Sequence, residues 1–135
     1  MKTNLSKFFI NSSDENIFEY KVHGVTFKLK PASRANKEFI EATARHSLIL
    51  NDKVMEYKDD ERELAKINFN DDMHRGIIVD SILVGWEGLL DENDKELPFT
   101  KENALNLLKE IPDFINELTN AASDKDNFSV IDEKK

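Results

Sequence analysis

The run IIVDSILVGWEG, residues 77–88, decides how this chain folds. From Ile77 to Val84 it is apolar apart from Asp80 and Ser81, so period alone does not separate a buried strand from a buried helix. Length arbitrates. Asp71 and Asp72 can cap an element that continues to Trp86. A span of that extent predicts a central helix, ended by Gly85 and Gly88.

Toward the C-terminus, the acidic turn at 91–96 leads to an apolar Leu97-Pro98-Phe99 step. Thr100 is placed to cap a further helix, with Glu102 in the first turn, where the helix dipole favours a carboxylate. Ala104, Leu105, Leu107, Leu108 and Ile111 form its apolar set. Pro112 breaks that helix and can open the last one at its first position. There Phe114, Ile115, Leu118, Ala121 and Ala122 face inward. Residues 124–135 carry seven charges and read as a flexible tail, despite Phe128, Val130 and Ile131.

Toward the N-terminus the clearest local signal is IFEYKVHGVTFKLK. Folding it about His23-Gly24 pairs Phe18 with Leu29, Tyr20 with Phe27 and Val22 with Val25 on one face. The other face pairs Lys21 with Thr26 and Glu19 with Lys28. Such pairs contribute about 0.2–1 kcal/mol each, so this hairpin must pack its apolar face on helices. Pro31 closes it and Ser33 is a candidate cap. Ala35, Phe39, Ala42, His46 and Ile49 then predict an amphipathic helix to about Leu50. Residues 51–63 carry nine charges and read as a solvated loop or a frayed helix, after which Leu64, Ile67 and Phe69 resume apolar character. The expected fold is α+β and mainly α-helical: an N-terminal two-stranded antiparallel hairpin, about 17–30, packed on a bundle of four to five helices. Residues 1–123 form one globular domain in this reading, with 1–16 as an N-terminal arm and 124–135 as a charged tail.

Composition narrows the function. A chain of 135 residues can bury a core without staples, and zero cysteines exclude disulfide frameworks and thiolate zinc sites. Nineteen basic residues against 27 acidic ones give a net charge of −8, with no Lys/Arg cluster to neutralise a phosphate backbone. Nucleic acid is not an expected partner. No apolar run approaches a membrane span or a secretory signal, so no membrane partner is expected either.

The stretch from Gly85 to Thr100 invites a metal reading. Counted from Asp91, oxygen donors Asp91, Asn93 and Glu102 fall where a calcium loop has ligands at about positions 1, 3 and 12. Lys95, Glu96 and Pro98 then occupy positions that need a ligand, a glycine and an unrestricted backbone, so a solvated turn is the better reading. His23 sits at a hairpin tip, His46 on a helix stripe, and His74 near Asp71 and Asp72 lacks a full ligand set. Asp80 on the apolar run is read as a carboxylate paired with a neighbouring Lys or Arg. Catalytic, cofactor and metal sites are therefore not expected, and the chain is read as non-enzymatic. Trp86 reads either as a core residue against the Leu97-Pro98-Phe99 step or as a binding hot spot. Partner contact is assigned to Phe8, Phe9, Trp86, Leu97 and Phe99.

The segment from Gly85 to Phe128 resembles the C-terminal half of tail assembly chaperones from long-tailed bacteriophages. The residues that carry the resemblance are Gly85-Trp86, Asp91, Leu97-Pro98-Phe99, Thr100, Glu102-Asn103-Ala104, Leu107-Leu108, Pro112 and Asp126-Asn127-Phe128. Asp94 departs from it, standing where a glycine would be more comfortable. The resemblance implies a mainly helical, non-catalytic protein of the host bacterial cytoplasm that binds the phage tape measure protein and helps recruit major tail tube subunits. It also implies a frameshift-extended form of the same protein as a partner. Self-association is compatible with leftover apolar residues such as Phe8, Phe9 and Leu64. The alternative is a small acidic adaptor or regulatory protein of another phage module.

Overall fold

The computed structural model describes residues 16–128. Phe18–Val22 (β1) and Val25–Leu29 (β2) form the antiparallel hairpin in the register that the alternation predicts, from Phe18 opposite Leu29 to Val22 opposite Val25. His23 and Gly24 take φ of 52° and 81°, the left-handed pair that a tight hairpin turn requires. Lys28 lies opposite Glu19, but its ammonium bridges Glu87 at 2.8 Å. That carboxylate comes from a strand the sequence reading did not provide.

The strand is Leu83–Glu87 (β3), which pairs antiparallel with β2, Phe27 opposite Trp86 and Lys28 opposite Gly85. The predicted helix over 72–86 is therefore corrected: helix gives way to strand after Ser81. β1 satisfies one edge of β2, which leaves the N–H and C=O groups of the other edge in need of a partner. Leu83–Glu87 supplies it, and the Lys30 N–H extends the contact by donating to the Ile82 carbonyl at 2.8 Å. Among the described residues the sheet is three-stranded, ordered β1-β2-β3.

A second correction lengthens the helices between β2 and β3. Helix α1 runs from Lys37 to Met55, and α2 from Arg62 to Ser81, joined through a short 3-10 turn at Asp59–Glu61. Most of the charged 51–63 segment is thus helical. Val54 and Ala65 are buried between the two helices, and the Tyr57 ring stands 6.0 Å from that of Phe69. The cap of α1 is Asn36, not Ser33. The Asn36 Oδ1 accepts from the Phe39 N–H, while its Nδ2 donates to the carbonyls of Pro31 and Ser81 at 2.9 and 2.8 Å. The Ser33 hydroxyl accepts instead from the Ala35 N–H in the preceding turn.

Helices α3 (Lys101–Glu110) and α4 (Asp113–Ser123) complete the fold, and the Thr100 hydroxyl caps α3 by accepting from the Asn103 N–H at 3.0 Å. Pro112 stands just before α4 rather than inside it. The part of the tail at 124–128 is packed, against expectation. A 3-10 turn at Lys125–Asn127 delivers Phe128 to the core at 1% exposure, where its ring meets Phe18 edge-on at 6.1 Å. The core lies between the inner sheet face and the C-terminal half of α2, α3 and α4, around Phe27, Leu29, Ile78, Ile82, Leu108 and Leu118. Glu19, Lys21, Lys28 and Glu87 alternate onto the other, solvated face. No described helix is long and apolar enough to cross a membrane.

Candidate functional site

The longest helices of the chain, α1 and α2, pack antiparallel and chiefly on each other, with the start of α3 at their base. Between the three runs a groove of about 300 Å³. Its walls are Ile49, Leu50, Phe69, Met73, Val79 and Leu105. Lys53 stands at the outer end, its ammonium 5.3 Å from the Phe69 ring centroid, a favourable cation–π arrangement.

The base of the groove is closed by a charge cluster around Asp80 on α2. Its Oδ2 accepts from Arg45 Nη2 at 2.8 Å and from His46 Nε2 at 2.7 Å, and its Oδ1 from Lys101 Nζ at 3.1 Å. One carboxylate thus ties α1, α2 and α3 together, as the pairing rule for a half-buried charge anticipates. Burial works to raise the Asp80 pKa, but the hydrogen bonds from His46, Arg45 and Lys101, with the Lys101 charge, outweigh it. The group titrates at about 2 rather than at 3.8. Gly76 makes room for this cluster: a Cβ there would collide with the His46 ring. Arg75, one residue away and buried, ion-pairs with Asp72 across one turn of α2.

Outside the groove the α1–α2 hairpin leaves large apolar side chains in water. Leu48, Met55, Leu64 and Ile67 are 62–70% exposed. Leu64 is legible in the sequence as a leftover apolar residue, but the groove is not, because 51–63 reads there as a solvated loop or a frayed helix. Val54, Tyr57, Ala65 and Phe69 carried the signal, apolar residues at helical spacing on both sides of the charged turn.

The residues assigned to partner contact fare differently. Phe8 and Phe9 lie outside the described residues. Trp86, Leu97 and Phe99 are brought together, but largely with one another. Trp86 is 7% exposed, its indole N–H donates to the Leu97 carbonyl at 2.8 Å, and its ring meets Phe99 edge-on at 4.9 Å. The tryptophan anchors the Leu97-Pro98-Phe99 step from a strand rather than from a helix end. The acidic turn between them is a local hairpin: Leu97 N–H donates to Leu89 O, and Asp94 takes a left-handed φ of 62°. Asp91 Oδ1, first donor of the calcium reading, is occupied by the N–H groups of Asn93 and Lys95. Among the described residues no three His, Cys, Asp or Glu side chains converge as a metal-binding group.

The fold is a mainly helical α+β domain with an apolar groove between helices, its base closed by the Asp80 cluster. Residues 31–135 match the family described as YdaY prophage protein, so this chain is a member of that family and a prophage protein. Comparison with curated proteins and with solved structures found no match.

Proposed function

We propose that this prophage protein is a tail assembly chaperone. It binds the tape measure protein in the host cytoplasm, helps recruit tail tube subunits, and works without catalysis. The observation that carries the reading is the groove between α1, α2 and the start of α3, with exposed apolar residues on the helices that form it. A tape measure protein is long and apolar in this reading, and an amphipathic helix of such a client lays its apolar face into a groove of this kind. The family membership supports a prophage setting for this reading, and the resemblance of residues 85–128 to tail assembly chaperones is what favours a tail module. A net charge of −8 keeps a complex with an apolar client dissolved.

Co-expression with the tape measure protein of the same prophage tests it. The expected result is a soluble complex that co-purifies, with the client insoluble when expressed alone. A client that stays in the pellet with the chain present, or that is equally soluble without it, sinks the proposal.

A further inference from the structure

The charge of this chain is segregated. Residues 85–128 hold 11 carboxylates against four lysines, whereas residues 1–84 hold 14 against 13 basic side chains. The acidic half carries a second apolar surface, separate from the α1–α2 groove. Two adjoining hollows of about 320 and 360 Å³ share Leu89 and Leu107. The first is walled by Val22, Val25 and Phe27 of the β-hairpin together with Ile111 and Phe114, and the second by Leu90 and Leu97. Leu90 and Ile111 are 52% and 48% exposed. Gly88, next to Leu89, passes tightly over the β-hairpin turn, where a Cβ would meet the Gly24 carbonyl oxygen at 2.8 Å.

The rim of this trough has one sign. Asp91, Glu92, Glu110 and Glu117 line it; among the described residues His23 is the remaining titratable group and neither lysine nor arginine lines either hollow. Among the described residues none of the four carboxylates enters a salt bridge. An apolar floor inside an unneutralised acidic rim discriminates strongly. A segment with an apolar stripe and basic flanks gains burial and Coulomb attraction, while an acidic segment of equal hydrophobicity meets repulsion. A second copy of this chain, at −8, is disfavoured for the same reason.

We propose that the Leu89–Leu107 trough docks a basic amphipathic peptide segment, its apolar side chains on the floor and its lysines or arginines against Asp91, Glu92, Glu110 and Glu117. Fluorescence anisotropy with the full chain tests this, using two labelled helical peptides with the same leucine stripe, one flanked by lysines and one by glutamates. The lysine peptide is expected to bind at least about tenfold tighter at low salt, with the advantage shrinking as salt rises. Glu110→Lys with Glu117→Lys should weaken it by about tenfold or more. Glu63→Lys with Asp71→Lys, the same charge change on the α1–α2 hairpin, should leave it within about twofold. In the unaltered chain, amide shifts on titration should centre on Leu89, Leu107 and Ile111, a readout that does not depend on any variant folding. Equal binding of the two peptides, equal loss in the two double variants, or shifts centred on the α1–α2 groove would each overturn the proposal.

Discussion

Helix α2 is one continuous rod in two environments. Leu64, Ile67, Asp71, Arg75, Ile78 and Ile82 follow one another along it and its C-cap at three- and four-residue steps and so share one stripe. From Arg75 onward that stripe is buried under the sheet, α3 and α4, whereas Leu64 and Ile67 on the same stripe are 63% and 70% exposed. Residue type does not separate the two halves; cover does. A helix anchored at one end can hold apolar side chains in water at the other, because the anchored half supplies the stability that the outer half lacks. That is the arrangement a protein-binding surface needs.

Truncation in the anchored half should have the largest effect. Leu118→Ala, at a fully buried position of α4, is expected to cost about 3–5 kcal/mol in urea unfolding. Val54→Ala, between α1 and the outer half of α2, should cost less than half as much. Equal costs would break the distinction between the two regions.

Asp80 links the regions and comes next. Asp80→Asn should cost on the order of 2 kcal/mol at neutral pH, read by hydrogen exchange in α1. The pH dependence has a definite sign. The folded carboxyl titrates at about 2, below its ordinary 3.8, so its stabilisation is complete above about 4 and is lost as pH falls toward 2. The variant should lack that acid limb. A variant with the same acid profile as the parent would remove Asp80 from this role.

Gly76→Ala should cost about 1–2 kcal/mol, because the new methyl displaces the His46 ring from its seat and from Asp80. The loss should be absent in a His46→Ala background, where the methyl has room. The smallest effect on stability belongs to the exposed stripe. Leu64→Glu with Ile67→Glu should shift unfolding by no more than about 0.5 kcal/mol per site, yet abolish client solubilisation in co-expression. Full solubilisation by this variant would move the client off the Leu64–Ile67 stripe and leave the groove walled by Phe69 and Met73 as its seat.

Features that depend on neighbours a few residues away were legible before any coordinates. The β-hairpin register follows from alternation about His23-Gly24, and the Thr100 cap from a hydroxyl three residues before a free N–H. The pairing of Asp80 followed from chemistry alone, although its three donors come from two other helices. The candidate site was less legible. Its groove forms where α1, α2 and α3 converge, and the charged segment at 51–63 hid the helices that carry it. Trp86 was rightly set against Leu97 and Phe99, but the side chains that face water, Leu48, Met55 and Ile67, had no mark in the sequence to separate them from core.

By itself the sequence determined the mainly helical α+β class, the β-hairpin, the start of α3 and the acid-rich surface, because each arises from contacts within one turn or one strand pair. Tertiary structure alone decided the fate of residues 77–88, where the apolar pattern does not separate helix from strand. The open edge of β2 drew Leu83–Glu87 into the sheet. Asn36 prevailed over Ser33 in the same way, because only its amide reaches the Ser81 carbonyl, 45 residues away. A hydrogen bond across that separation leaves no local trace, and it settles choices that local preference leaves even.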